Sequence, residues 1–257
     1  MSVFARLANF LSHPGDIPAT VRCRLVLLRV RVNNFFAGFR PCAKWDVSGS
    51  KPLEEINKRA LVPTDISDHL VTLFVESVSM TPRLIVELGV RGGESTFVME
   101  RVAALFGSTL VSVDIEECAT AGACDKAVFV RSDDIEFARR FQAWCQKSGI
   151  DPRIDVLMVD TSHLYDHTVQ EIEYWFPFLS KRAKVFFHDT NLQPLIRRRD
   201  GSLGTAWDNE RGVIRALERY FDTTFNEEED FVDFRNGWLI KHHASCSGFT
   251  VLERVMQ

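Results

Sequence analysis

From position 82 onward, the chain alternates short β-branched or aromatic segments with segments that have the 3.6-residue period of a helix. Parallel strands need crossover connections, so this rhythm is typical of a parallel sheet with helices on both faces. The predicted strands are 83–88, 109–114, 126–130, 154–160 and 183–187, and the predicted helices are 64–79, 92–106, 135–147, 166–179 and 209–221. The pattern predicts an α/β, Rossmann-like, doubly wound and mostly parallel sheet.

Two further extended segments, 231–234 and 238–240, are separated by Asn236-Gly237. Asn-Gly is a strong signal for the tight turn of a β-hairpin. We therefore expect an antiparallel hairpin at the edge of the sheet.

The N-terminal part of the chain differs from the rest. Residues 1–50 are locally basic, and residues 21–36 mix arginines with apolar side chains. One interpretation is a basic amphipathic arm that lies on a membrane surface or a partner. The other, favoured because the apolar residues do not share one clean face, is a helical extension that packs on the core or on a neighbouring subunit of a homo-oligomer. With a polar connector over 45–63, the chain divides into 1–60, the extension and connector, and 61–257, the α/β domain.

Composition narrows the class of partners. The net charge of -4 argues against a nucleic-acid binder. The six cysteines are scattered without a C-x-x-C pair, which suits reduced thiols better than disulfides or a zinc site. No apolar run approaches the ~20 residues that span a bilayer. We expect a cytoplasmic protein, with membrane association through the N-terminal arm left open.

Two predicted strands stop at acids. The segments 154–159 and 184–187 lead into Asp160 and, one residue past His188, Asp189. In an open α/β sheet, groups just past the carboxyl ends of neighbouring strands converge on one crevice. If these strands are neighbours, Asp160, His163, His188 and Asp189 face a common space. Two carboxylates and two imidazoles there can hold a divalent metal and supply a base.

A glycine-rich turn, 87–95, follows the first strand and opens a helix. Its G-x-x-G-G spacing departs from the G-x-G-x-x-G dinucleotide fingerprint, and it lacks the G-K-[ST] of a P-loop. This feature alone is compatible with a purely structural turn and with a ligand-binding loop. Asp114 ends the second strand, where a carboxylate can accept hydrogen bonds from ribose hydroxyls. A third acidic turn, 131–134, lies where an adenine can be held, although an acid at such a place is often only a helix cap.

With these features together, the sequence resembles the class I S-adenosylmethionine-dependent methyltransferases. The acid-x-G-x-x-x-G turn of that fold is similar to Glu87-Leu88-Gly89-Val90-Arg91-Gly92-Gly93, and Asp114 stands at the ribose-binding acid. The D-G-D-H-S-Y motif of one subgroup resembles Asp160-Thr161-Ser162-His163-Leu164-Tyr165, and its next strand resembles Phe187-His188-Asp189-Thr190. The subgroup includes cephalosporin hydroxylase-like proteins and metal-dependent sugar O-methyltransferases. The resemblance covers about 84–240.

The resemblance implies an enzyme that moves the methyl group of S-adenosylmethionine to a hydroxyl of a small-molecule or glycan acceptor. His163 would be the base that deprotonates the acceptor. Mg²⁺ or another divalent metal would be held by Asp160, His188 and Asp189. The cofactor would be bound by Glu87, Gly89, Arg91, Gly92, Gly93, Ser95, Asp114, Ser132, Asp133 and Asp160.

The second motif departs from the family pattern. Thr161 and Ser162 replace its Gly-Asp, which removes one carboxylate, and His188 stands where related enzymes often carry a second acid. These changes leave open a different metal, such as iron or manganese, or none. They also leave open a hydroxylase-like metal protein, or a cofactor-binding protein without transfer activity. His167, His242 and His243 lie in no motif and are expected at the surface.

Overall fold

The computed structural model describes residues 19–38, 46–118 and 126–255. Its strands are β1 (Leu84–Leu88), β2 (Thr109–Asp114), β3 (Ala127–Arg131), β4 (Ile154–Val159), β5 (Leu179–His188), β6 (Leu195–Arg197), β7 (Leu203–Thr205), β8 (Phe231–Arg235), β9 (Trp238–His243) and β10 (Phe249–Arg254). Its helices are α1 (Ala19–Ala37), α2 (Lys51–Ala60), α3 (Leu70–Val78), α4 (Glu94–Phe106), α5 (Asp134–Ser148), α6 (Tyr165–Trp175) and α7 (Gly212–Phe221), with single 3₁₀ turns at Ser67–His69 and Phe176–Phe178.

The central sheet has eight strands in the order β3-β2-β1-β4-β5-β10-β9-β8. The strands β1 to β5 pair in parallel, and β1 and β4 are buried along their whole length. Buried apolar strands of this kind are typical of a parallel sheet covered on both faces. One apolar core lies under α5, α6 and α7, and the other under α3 and α4. The predicted doubly wound, mostly parallel α/β fold is confirmed.

The predicted hairpin is also confirmed. β8 and β9 pair antiparallel at the sheet edge, and the turn residues Asn236 and Gly237 have φ of 50° and 81°. Positive φ at both central residues is the geometry of a type I′ turn, which fits the twist of the flanking strands.

The strand β10 was not predicted. It lies between β5 and β9 and pairs antiparallel with both. The hairpin therefore does not join the parallel strands directly. β10 closes the gap and buries Phe249, Val251 and Leu252 in the two cores.

The prediction of a polar connector over 45–63 is wrong for Lys51–Ala60, which forms α2. Pro52 lies in the first turn of this helix, where its missing N–H costs no hydrogen bond, so it starts the helix rather than breaking it. Ile56 is fully buried in the core with α3 and α4. Arg59 donates from Nε and Nη2 to the two carboxylate oxygens of Glu94, at 2.8 and 2.9 Å. The helix is thus fastened to the start of α4, although a division of the chain at residue 60 stays a prediction.

α1 confirms the helix expected within the N-terminal extension. It attaches through two asparagines: Asn33 donates to the carbonyl of Gly201, and Asn34 exchanges hydrogen bonds with the backbone of Leu203. Phe36 and several other apolar side chains of α1 are exposed. None of the helices in the described part of the chain is both long and apolar enough to cross a membrane. Residues 1–18 and 39–45 of the predicted extension lie outside the described residues.

Candidate active site

A cavity of about 580 Å³ opens at the carboxyl ends of the central parallel strands. It lies at the reversal of strand order between β1 and β4, where ligands of open α/β sheets bind. The predicted site residues on its wall are Gly89, Arg91, Asp114, Ser132, Asp133, Asp160 and His163. Residues from four separate strand ends therefore meet in one space, as the sequence predicts.

Gly89 shows why the first turn needs a glycine. Its φ is 85°, and a Cβ built on it would lie 1.9 Å from the carbonyl oxygen of Asp160. The amide of Asp160 in turn donates to the carbonyl of Leu88 at 2.9 Å. The turn after β1 is thus pressed against the end of β4, and any side chain at position 89 would push them apart.

Glu87 lies behind the turn rather than on the cavity wall, and its role as a cofactor contact stays a prediction. It is fully buried, and its carboxylate accepts hydrogen bonds from the hydroxyls of Ser95, Thr96 and Ser112 at 2.7–3.0 Å. Burial raises the pKa of Glu87 to about 7, although these hydroxyls act to lower it. The carboxylate ties β1, β2 and the start of α4 together, so its role is to hold the turn in shape.

The remaining predicted residues of the glycine-rich turn do not all line the same cavity. Gly92 and Ser95 border a second cavity of about 390 Å³, which also includes Arg91 and Asp160 and so adjoins the first. Gly93 precedes α4 with a φ of 75°, and Arg91 also has a positive φ of 45°. A backbone held in this rare region is common beside ligands.

Asp114 has the geometry expected of a ribose-binding acid. Its Oδ2 accepts hydrogen bonds from the amides of Val90 and Arg91 at 2.8 and 3.1 Å, and its Oδ1 accepts one from the amide of Glu116 at 2.9 Å. Burial acts to raise the pKa of Asp114, but these backbone donors outweigh it and hold the pKa below the ordinary value. The carboxylate is thus charged and fixed on the cavity wall, with lone pairs left for a ligand.

Ser132 and Asp133 follow β3 on the same wall. Asp133 caps α5 by accepting a hydrogen bond from the amide of Glu136 at 2.9 Å. The hydroxyl of Ser132 accepts one from Arg140 at 2.8 Å. The capping role considered from the sequence is therefore real, and it places both residues at the cavity without excluding a ligand contact.

Asp160, His163, His188 and Asp189 come together as predicted. His163 Nε2 lies 3.2 Å from Asp189 Oδ2, and its Nδ1 lies 3.9 Å from Asp160 Oδ1. His188 Nδ1 lies 3.0 Å from Asp160 Oδ1 and 3.5 Å from Asp189 Oδ1. Two imidazoles and two carboxylates therefore alternate around one point between the ends of β4 and β5. We call these four residues the transfer cluster.

The predicted role of His188 as a metal ligand stays a prediction, because its ring makes other contacts here. It is 2% exposed, and both ring nitrogens contact oxygens: Nδ1 that of Asp160, and Nε2 the carbonyl of Asp65 at 3.2 Å and the hydroxyl of Ser247 at 3.3 Å. Burial alone would lower the pKa of His188, but the carboxylates of Asp189 and Asp160 raise it to about 10. In the absence of a metal, a protonated His188 is a cation between the two acids.

The acids respond to this cation unequally. Burial acts to raise the pKa of Asp160, but His188 and His163 outweigh it and lower the pKa. The pKa of Asp189 is raised, mainly by burial, with the charge of Asp160 adding to it. Asp160 is therefore the more firmly ionised of the two.

Two residues of the transfer cluster have a strained backbone conformation. His163 and Asp189, which face each other, have φ of 59° and 56°. Non-glycine residues held in this region cost of order 1–3 kcal/mol each and persist where the surrounding fold imposes them. One such constraint is Gly212 at the start of α7, where a Cβ would lie 2.4 Å from the carbonyl oxygen of His163.

Three residues of the transfer cluster have the ligand atoms and spacing to hold a divalent ion. Ligand atoms of Asp160, His163 and Asp189 lie within 4.8 Å of one another. Asp189 Oδ1 is buried and has no hydrogen-bond partner. Such an orphaned carboxylate oxygen fits a cation. The two carboxylates alone suit Mg²⁺, and the set that includes the imidazole suits Mn²⁺ or Zn²⁺ better.

Sequence reasoning missed a second cluster on the cavity wall. His167, expected at the surface, contacts Asp134 and Glu171 there. His242, also expected at the surface, is buried and bonded to Thr250 and to the carbonyl of Glu227. The sequence did contain one signal for the second cluster, since His167 and Glu171 are spaced i, i+4 on one helix face.

The fold and the strand-end cavity define a Rossmann-like domain of the kind that binds a nucleoside-containing cofactor. Residues 86–190 match the family model of a methyltransferase domain. Comparison with curated proteins gives no significant sequence match. Among solved structures, the chain is similar to a methyltransferase from Geobacter sulfurreducens, with 16% identity over 88% of this chain and 97% of that one and a TM-score of 0.50. It is also similar to cofactor-bound Rv0187 from MTB, with 14% identity over 82% and 94% of the two chains and a TM-score of 0.51.

The structural likenesses show the fold, and the family model identifies the domain. Residues 86–190 thus match a methyltransferase domain, and the fold is that of the two solved structures. This agrees with the resemblance of the sequence to the class I S-adenosylmethionine-dependent methyltransferases.

Proposed function

We propose that this protein is an O-methyltransferase that methylates a hydroxyl of a sugar or another natural-product-like acceptor. The observation that carries the proposal is the position of His163. Its Nε2 is 3.2 Å from Asp189 on the wall of the cavity that Gly89 and Asp114 line. A base next to the methyl donor is the arrangement that transfer to a hydroxyl needs.

The cofactor would lie across the ends of β1, β2 and β3. Asp114 would accept hydrogen bonds from the ribose hydroxyls, the turn at Ser132 and Asp133 would hold the adenine, and Gly89 would let the methionine part approach the backbone. S-adenosylmethionine supplies an activated sulfonium methyl group. The protein need then only align the acceptor oxygen with it and exclude water.

His163 would take the proton of the acceptor hydroxyl. Asp189 orients the ring through Nε2, and the fold holds the residue in its strained conformation. His188, which contacts both carboxylates, would hold Asp160 and Asp189 in place. A divalent ion, where bound, would be held by Asp160 and Asp189 and would lower the pKa of a hydroxyl coordinated to it.

The acceptor would enter beside Trp207. Its ring is 47% exposed and lies 6.1 Å from that of His163. A flat aromatic face beside the base suits an acceptor with an apolar ring face, such as a sugar. The exposed apolar side chains of α1 are the surface that we propose for a peripheral membrane contact or for the subunit contact of a homo-oligomer.

The test is mass spectrometry of candidate glycan and natural-product acceptors after incubation with isotope-labelled S-adenosylmethionine, with and without Mg²⁺ or Mn²⁺. A labelled methyl ether formed only in the presence of the ion supports the proposal in full. Transfer that is unaffected by a chelator removes the metal from it. Cofactor binding by calorimetry without transfer to any acceptor supports the alternative of a binding protein, and metal-dependent oxidation of an acceptor supports a hydroxylase-like protein.

The cofactor site has its own test. Asp114→Ala should weaken S-adenosylmethionine binding about 10- to 100-fold, because each carboxylate–hydroxyl hydrogen bond contributes about 1.5–3 kcal/mol. Asp151→Ala is the matched control, since this exposed acid lies at the opposite end of the sheet, before β4. Equal affinities for the two variants would refute the ribose role of Asp114.

A further inference from the structure

Asp134, His167 and Glu171 form a group of potential metal ligands apart from the transfer cluster, which we call the inner cluster. Asp134 is the first residue of α5, and the other two lie one turn apart on α6. Asp134 and His167 are on the wall of the large cavity, beside the turn that follows β3. The inner cluster shares no residue with the transfer cluster.

The geometry of the inner cluster brings three unlike ligands to one point. His167 Nε2 lies 2.9 Å from Asp134 Oδ1 and 3.7 Å from Glu171 Oε1. Thr161, on the loop after β4, donates its hydroxyl hydrogen to Glu171 Oε1 at 2.5 Å. One ligand atom from each member lies within 4.8 Å of the others. Two ligands of one Zn²⁺ at about 2.0–2.2 Å are at most about 4.4 Å apart, so small side-chain rotations suffice to seat an ion.

The second observation is a pair of buried oxygens without partners. Asp134 is 6% exposed and Glu171 is 1% exposed, and Asp134 Oδ2 and Glu171 Oε2 have no hydrogen-bond partner. In the described part of the chain, both carboxylates form ion pairs with the same single cation, His167. A buried carboxylate is normally satisfied by hydrogen bonds, by a full counter-charge or by a metal.

We propose that the inner cluster binds a divalent transition-metal ion, Zn²⁺ or Mn²⁺, through Asp134, His167 and Glu171. The imidazole favours these ions over Mg²⁺, which prefers oxygen ligands and keeps its waters. The metal takes the place of the proton that His167 Nε2 shares with Asp134. Three protein ligands leave a fourth position for water or another ligand, and two of the three, Asp134 and His167, line the cavity.

A bound ion would link two helices of the fold. Asp134 belongs to α5 and the other ligands to α6, so a bound ion joins the two helices that cover the same face of the sheet. The assignment does not depend on methyl transfer, because none of the three ligands takes part in the proposed chemistry.

The test uses the full chain, stripped of metal with a chelator and then equilibrated with Zn²⁺ or Mn²⁺ in separate experiments. Bound ion is counted by elemental mass spectrometry after dialysis, for the wild type and for the variants His167→Ala, Glu171→Gln and Asp189→Asn. We expect one ion per chain that is bound at least about 10- to 100-fold more weakly by His167→Ala and Glu171→Gln. In Asp189→Asn this ion should bind as in the wild type.

Two further measurements keep the result interpretable. Circular dichroism shows whether each variant is folded, and Asp134→Asn replaces either variant that is not. Co²⁺ in place of Zn²⁺ gives visible absorption bands that report nitrogen and oxygen ligands directly. The proposal is overturned if the wild type binds neither Zn²⁺ nor Mn²⁺, if the inner-cluster variants bind as tightly as the wild type, or if Asp189→Asn alone abolishes binding.

Discussion

The transfer cluster and the inner cluster are built from the same residue types on the wall of one cavity, yet their charges are balanced differently. In the transfer cluster, two carboxylates face two imidazoles, and His188 is a buried cation bonded to oxygens through both nitrogens. In the inner cluster, two carboxylates share one imidazole, and two of their oxygens have no partner. The extra histidine frees His163 for chemistry, whereas the inner cluster has no group to spare and is the better candidate for a permanently bound ion.

The largest effect is expected from removing His163, the imidazole of the transfer cluster that is available for chemistry. His163→Asn keeps a residue type that tolerates positive φ, so the loop should be preserved. We expect turnover to fall by about 10²–10⁴-fold, since a positioned general base contributes that much. Cofactor affinity by calorimetry should stay within about threefold of the wild type. Unchanged turnover would reject His163 as the base.

The structural imidazole should behave in the opposite way. His188→Asn removes the cation between Asp160 and Asp189, and breaking a buried ion pair costs about 3 kcal/mol or more. We expect the free energy of unfolding in urea to fall by about that amount. His163→Asn is the matched control, because the same substitution at the end of the neighbouring strand β4 removes a less buried imidazole and should change stability by less than about 1 kcal/mol. Similar stability losses in the two variants would show that the two histidines do not have separate roles.

The sequence could predict the parts of the site that follow from sheet topology, but not the parts that depend on contacts between residues far apart in the chain. Asp114, Asp160 and Asp189 were predicted because each stops a strand, and the topology of parallel sheets then places strand ends together. The role of His188 could not be read in this way. Its second nitrogen contacts Asp65 and Ser247, which lie 123 and 59 residues away along the chain.

The secondary-structure elements that the sequence did not predict were missed for the same reason. α2 was missed because Pro52 was taken as a breaker although it starts a helix, and only the burial of Ile56 against α3 and α4 shows the difference. β10 is as long as β2, but its place in the sheet depends on its pairing with β5 and β9, which the sequence pattern does not show. The i, i+4 pair His167 and Glu171 was visible in the sequence, but its third member, Asp134, belongs to another helix 33 residues before His167.

Glu87, a carboxylate outside both clusters, sharpens the comparison because no ion pair with a cation is found for it among the described residues. Burial raises the pKa of Glu87 to about 7, against 4.5 for an ordinary glutamate, so the folded state binds its proton more tightly than the unfolded state does. This group therefore removes stability as the pH rises from about 4.5 to about 7, by roughly 3 kcal/mol. In Glu87→Gln that loss should be absent.

The measurement for Glu87 is a series of urea unfolding curves between pH 4.5 and 7.5. The difference in unfolding free energy between Glu87→Gln and the wild type should move in favour of the variant by about 2–3 kcal/mol across the series. A difference that is constant with pH would mean that Glu87 titrates alike in the folded and unfolded states. Using the difference cancels the contributions of the histidines and of the other acids.

The smallest effect is expected from removing the hydroxyl of Thr161, which donates a hydrogen bond to the inner cluster. Thr161→Val keeps the shape of the side chain but removes the donor to Glu171 Oε1, so that a second oxygen of this buried carboxylate loses a partner. We expect a loss of about 1–2 kcal/mol in the unfolding free energy of metal-free protein. Ser162→Ala, at the exposed next position, should change it by less than about 0.5 kcal/mol. Since a bound ion would take over the compensation of Glu171, saturating Zn²⁺ should reduce the cost of Thr161→Val, and an equal cost with and without the ion would mean that the carboxylate does not face it.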